Sequence, residues 1–172
     1  DQFTSGYLIS PTAGGGTCNV EYEVLMGYSL SMTEGTPFEN MIQKDTPSIV
    51  SLLNDIGYYT QAIHSNTQYF FNRKSVYSNL GFNSSIFSED MQIEDSDRIN
   101  GWVSDEYIYR QLIDEYESRD TSVPYFAHVV TTQNHGAYSQ DYDKYGIVVQ
   151  ESDNDNEARQ LQSYLNEEQE SG

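Results

Sequence analysis

Between Ile49 and His64 a helical pattern, a glycine and a β-prone strand follow one another without interruption, and few folds accept that order. Thr46-Pro47-Ser48 starts the helix, Ile49, Leu52, Leu53 and Ile56 give it an apolar stripe, and Gly57 stops it. Tyr58 to Ile63 then reads as a strand ending in the polar His64. The same grammar returns downstream. Ser104-Asp105-Glu106 puts a cap and two acids at a helix start, Ile108, Leu112, Ile113 and Tyr116 form its apolar face, and Pro124 to Thr132 reads as a buried strand leading into Gln133-Asn134-His135-Gly136. Helices alternating with short apolar strands predict an α/β fold, a mostly parallel sheet sandwiched between helices. Sites in such folds gather beyond the carboxyl ends of the strands, where His64 and His135 both stand.

Upstream, Thr17 to Met26 reads as a short helix with Val20, Val24 and Leu25 inward and Gly27 as its stop. Thr36-Pro37-Phe38-Glu39 reads as a capping box with proline at the first helical position. At 172 residues the chain has room for one domain, expected to be partial. From 141 to 172 it becomes a polar, acidic tail with an unfinished helix marked by Leu161, Tyr164 and Leu165.

The net charge of -19 sets the acceptable partners, because such a field repels phosphate backbones and anionic membranes. Nucleic acid is excluded on that ground. The few cations therefore carry information, and Arg73 and Lys74 stand together nine residues after His64. The single cysteine, Cys18, excludes an intramolecular disulfide framework and a Cys-rich zinc site. No apolar run approaches the length of a membrane span.

Ser10 to Glu21 is the segment richest in chemistry. Gly14, Gly15 and Gly16 allow close backbone approach, and the helix that follows points free N–H groups at any bound anion. A threonine hydroxyl there could act as a nucleophile once ionised by a metal. The residues alone leave open an ordinary glycine-rich turn with Thr17 as its cap. His64 and Arg73 flank the polar and aromatic stretch Asn66 to Asn72, in which Arg could grip two phosphate oxygens and His donate to a third. A surface loop with a solvated Arg is the alternative. His128 reads as a core or backbone contact, and Cys18 as a small buried residue. Asp153 to Glu157 fails the calcium-loop template, which demands Gly and Glu where Ala158 and Tyr164 stand.

The order of these segments resembles the lipoteichoic acid synthase-like phosphoglycerol transferases, in the sulfatase branch of the alkaline phosphatase superfamily. The matching residues are Thr17 with Glu21, Gly57-Tyr58-Tyr59-Thr60 leading to His64, Phe71-Asn72-Arg73, Val76-Tyr77, Leu80-Gly81-Phe82 and Thr132 to Gly136. The resemblance implies that Thr17 is both metal ligand and nucleophile, and that His64, Phe71, Arg73 and His135 hold a phosphoglycerol head group. It implies Mn2+ as cofactor, a phosphatidylglycerol-type phospholipid as substrate, and a membrane-anchored parent acting on the extracellular face of the cell membrane. A sulfatase or phosphodiesterase of the same superfamily, or a noncatalytic extracellular anion-binding module, are the alternative functions.

In that family further metal ligands lie on a strand upstream of the threonine and in an Asp-His pair downstream. This sequence has sixteen residues before Thr17 and contains no Asp-His pair. The isolated chain is therefore expected to be catalytically silent and metal-free. Its incomplete sheet is expected to leave an edge open to self-association.

Overall fold

The computed structural model describes residues 16–30, 35–138, 142–149 and 155–171. Ser10 to Gly15 and the acids Glu151 and Asp153 lie outside the described residues.

A three-stranded parallel sheet organises the chain. Strand β1 (Tyr59–His64) lies between β2 (Ser84–Ile86) and β5 (Tyr125–Val130), in the order β2-β1-β5. Gln61 pairs with Ser84 on one side, and Tyr59 through His64 pair with Tyr125 through Val130 on the other. Side chains alternate across β1, so Ala62 enters one apolar cluster and Ile63 another. The first cluster gathers Cys18, Tyr22 and Leu25 from helix α1 (Thr17–Met26), Phe38 from the four-residue α2 (Pro37–Asn40), and Val76, Tyr77 and Leu80 from α4 (Arg73–Leu80). The second packs Ile108 of α5 (Asp105–Ser118) against Ile63 and Val103. The sheet is thus covered on both faces, as the α/β pattern predicts.

Several local expectations change in detail. In α1 the inward face is Cys18, Glu21, Tyr22 and Leu25, at helical spacing, while Val24 faces out at 49% exposure. Thr36 precedes Pro37 but makes no side-chain cap bond, so the capping box does not form there. It forms instead at α3 (Ile49–Asp55), where the Ser48 hydroxyl accepts from the backbone of Val50 and Ser51, and Ser51 Oγ accepts from Ser48 N–H.

The apolar stripe of α3 is turned outward, with Ile49, Leu52 and Ile56 exposed and Val50 buried. Polar anchors set this rotation. Ser48 Oγ donates to the Leu80 carbonyl at 2.8 Å, Asn54 donates to the Gly81 carbonyl, and Thr60 Oγ1 donates to Asn54. On α5, Ile108 is buried but Ile113 and Tyr116 are about half exposed.

A second, antiparallel ribbon joins β3 (Arg98–Ile99) to β4 (Trp102–Val103). Asn100 and Gly101 form its turn, both with positive φ (49° and 86°), the backbone that an Asn-Gly hairpin requires. In the acidic tail, α6 (Asp155–Ser171) docks through buried polar groups together with Tyr164 of its thin apolar stripe, whose ring packs on Tyr138. Ser163, Asn166 and Glu167 are buried, while Leu161 is 47% exposed. Asn166 accepts from the Tyr145 backbone and donates to the Ile147 carbonyl, and Gln133 donates to the Glu167 carbonyl. Among the described residues no helix is long and apolar enough to cross a membrane.

Candidate active site

A cleft of about 90 Å3 opens beyond the carboxyl ends of β1 and β5. Thr17, His64, Phe71, Arg73 and His135, drawn from four separate stretches of the sequence, all line it, beside Gly16, Asn66 and Thr132. A larger cleft of about 390 Å3 lies at the opposite ends of the strands, among Tyr59, Gln61, Glu115 and Tyr125. Size does not select it, because the free helix N-terminus and the strand-end histidines converge on the smaller one.

Gly16 caps α1 with φ of 91°, a left-handed backbone that glycine adopts without strain. Thr17 is therefore the first helical residue and not the cap, and it is exposed at the mouth of the cleft. The Ser65 and Thr132 hydroxyls are 2.8 Å apart and tie the loops after β1 and β5 together.

His64 ends β1 and is 2% exposed. Its Nδ1 lies 3.0 Å from the Val130 carbonyl, which can only accept, so Nδ1 carries the proton. Burial, aided by the Arg73 charge, pulls its pKa down to about 4 and keeps the ring neutral. Nε2 is then a lone-pair acceptor, buried with no hydrogen-bond partner among the described residues. With its proton on Nδ1, the neutral ring has an acceptor at Nε2 rather than the donor to phosphate expected from sequence, and that atom is itself buried.

Arg73 is neither solvated nor wholly free to grip an anion. It is 1% exposed and holds the Glu21 carboxylate, with Nη2 2.6 Å and Nε 3.2 Å from Oε1. Nη1 donates to the Phe70 carbonyl at 3.2 Å. These bonds use three of the five guanidinium N–H groups, leaving one on each terminal nitrogen. Phe70 and Phe71 lie over the guanidinium, with ring centroids 5.9 Å and 5.2 Å from its central carbon. Phe71 and Asn72 both have φ of 55°, an uncommon backbone for residues with a side chain. That double left-handed turn lays Phe71 against Arg73.

Glu21 receives a further bond from Tyr77 Oη at 2.6 Å, and His128 Nε2 is 3.5 Å away. Burial alone would raise its pKa, but bonds from His128, Arg73 and Tyr77 outweigh this and hold it at about 2. Burial and the Glu21 charge push the Tyr77 hydroxyl well above its usual range.

His135 lies on the far wall, exposed, with its ring 4.9 Å from that of Trp102. Its neighbour Gln133 faces away from the cleft, accepting from the Asp105 backbone and donating to the Glu167 carbonyl. Trp102, brought in by the Asn100-Gly101 hairpin, is a site neighbour that sequence reading missed. The Asn-Gly dipeptide was the signal available for it.

The sulfatase family model matches residues 2–170. The chain belongs to the sulfatase family. It is 30% identical over 152 residues to the putative cyclic beta-1,2-glucan modification protein of Rhizobium meliloti (strain 1021), covering 87% of this chain and 23% of that protein. It is 26% identical over 121 residues to lipoteichoic acid synthase 1 of Bacillus subtilis (strain 168), covering 69% of this chain and 19% of that one. The solved structure of Streptococcus pyogenes phosphoglycerol transferase GacH, in complex with sn-glycerol-1-phosphate, superposes with a TM-score of 0.73 at 27% identity, covering 92% of this chain and 42% of that one. This sulfatase-family chain therefore spans about a quarter or less of its curated relatives' length, and has the alkaline phosphatase-superfamily fold.

Two further features bear on the chemistry of this sulfatase-family chain. Cys18 is 1% exposed, and burial pushes its thiol up to about 11, so it is no nucleophile. Among the described residues no group of three or more His, Cys, Asp or Glu could hold a metal ion. Thr17 alone offers one neutral hydroxyl, whereas a hard divalent ion takes about six oxygens. The described residues do not by themselves fit Mn2+.

Proposed function

We propose that this chain is the nucleophile-bearing part of a phosphoglycerol transferase acting on phosphatidylglycerol-type phosphodiesters at the extracellular face of the cell membrane. The observation that carries the reading is the meeting of Thr17, His64, Arg73 and His135 around one cleft. The likeness to a phosphoglycerol transferase solved with sn-glycerol-1-phosphate supports it.

In this reading Thr17 Oγ1 attacks phosphorus, forming a Thr–O–P bond and breaking the bond to the diacylglycerol oxygen, which leaves with a proton. An acceptor hydroxyl then attacks the same phosphorus and frees Thr17. The α1 N-terminus places N–H groups beside the developing negative charge. Arg73 offers its two remaining N–H groups to phosphate oxygens. His64, neutral and buried at the end of β1, forms part of the wall against the head group. A sugar hydroxyl is the acceptor class in keeping with the relative named for glucan modification.

A second reading, a noncatalytic anion-binding module, needs only the cleft that His64 and Arg73 line. One experiment separates the two. The full-length protein is given labelled phosphatidylglycerol and manganese, and diacylglycerol release is followed for the native protein and Thr17→Ala. Release by the native form and its loss in the variant support the transferase. Glycerol phosphate binding without turnover in the native protein supports the binding module.

A further inference from the structure

Glu21 lies four residues after Thr17, one turn along the same face of α1. Its carboxylate is 4% exposed and draws groups from two other elements. Arg73 and Tyr77, one turn apart on α4, bond it at 2.6 Å each, and His128 of β5 stands at 3.5 Å. Arg73 lines the cleft while its Nε and Nη2 are held by Glu21, so the direction of its two remaining N–H groups is set from behind. The helix that carries the threonine and the helix that carries the guanidinium are thereby registered through one carboxylate.

We propose that Glu21 is a positioning residue that fixes the distance and angle between Thr17 and Arg73, so that a phosphoryl group can meet both at once. This rests on the reading of the cleft as a phosphoglycerol site. Glu21 does not touch the substrate; it acts through Arg73. A buried ion pair adds little net stability compared with apolar packing, so placing Arg73 is the role that accounts for the pair at this point. Tyr77 completes the carboxylate's bonding and stops it from rotating towards the cleft.

The test uses the full-length protein and two readouts, calorimetric binding of glycerol phosphate and the split between kcat and KM on phosphatidylglycerol. Glu21→Gln keeps the side-chain volume and removes the charge. It should weaken glycerol phosphate binding about tenfold and lower kcat by up to about 100-fold, the size of loss that misplacement by an ångström causes. Combined with Arg73→Ala it should cost nothing further, because Glu21 acts only through Arg73. Leu80→Ala, in the same helix and 1% exposed, should destabilise the fold while the folded protein binds glycerol phosphate as the native does. Should Glu21→Gln fail to fold, Glu21→Asp, which keeps the charge and shortens the reach, enters the same double-mutant comparison. Losses that add to those of Arg73→Ala, or native-like binding by Glu21→Gln, overturn the proposal. If the native protein itself binds no glycerol phosphate, the phosphoglycerol reading falls first and the role of Glu21 falls with it.

Discussion

Glu21 and Glu167 are both buried, at 4% and 0% exposure, yet their pKa values move in opposite directions. Glu21, behind the cleft, is held at about 2 because the bonds from His128, Arg73 and Tyr77 outweigh burial. Glu167, where α6 meets the Gln133 segment, is pushed up to about 7 by burial and by the neighbouring Glu168. Asn100 donates a hydrogen bond to it. Burial sets the cost of the charge in both places, and the partners decide whether the charge survives. The first region is a fixed ionic joint under the candidate site. The second is a joint whose strength follows pH.

The largest test of this contrast removes the cation. Arg73→Ala strands the Glu21 carboxylate in the core and should cost about 3–5 kcal/mol in a denaturant titration. A loss below about 1 kcal/mol would show that Glu21 is not held as described.

Acid should act on the first region next. The contribution of Glu21 is present above its ordinary 4.5 and is lost as pH falls towards about 2. His64, with its pKa lowered from 6.5 to about 4, favours the fold above 6.5 and loses that contribution as pH falls towards 4. Unfolding followed by circular dichroism should therefore show stability declining from pH 6.5 downward. Asn substituted for His64 should remove the upper part of that decline.

Glu167 should behave in the opposite sense. Its raised pKa gives a contribution fully present below 4.5 and lost as pH rises through about 7. Protection factors of the α6 backbone amides, taken against intrinsic exchange at each pH, should be lower at pH 8 than at pH 5, and Glu167→Gln should flatten the difference. The smallest effect belongs to the turn before the threonine. Gly16→Ala, at φ of 91°, should cost about 1–2 kcal/mol without a steric clash, since among the described residues an added Cβ would meet Asn19 alone, at 3.5 Å.

The contrast also marks what the sequence could reveal. β1, β5, α1 and α5 were legible because apolar runs and glycine or serine punctuation bound them. α4 was not, because its inward stripe opens with Arg73 before Val76, Tyr77 and Leu80, so the helical period begins on a charge. β2 is only Ser-Ser-Ile, too short and polar to register as a strand. The outward stripe of α3 and the polar seat of α6 share one cause. Hydrogen bonds donated by Ser48, Asn54 and Asn166, and one accepted by Ser163, orient these helices, where hydrophobic periodicity assumes that apolar contact does so. The candidate site residues could be named from their order along the chain. The Glu21–Arg73 pair could not, since 52 positions separate its members and nothing local announces that they meet.

The central claim is that Thr17 takes up the phosphoglycerol group, and the most direct measurement is peptide mapping by mass spectrometry. The full-length protein, quenched in acid during turnover of phosphatidylglycerol, should carry a glycerol phosphoryl group on the peptide containing Thr17, absent from Thr17→Ala. Modification at another residue, or diacylglycerol release that persists in Thr17→Ala, would contradict the account.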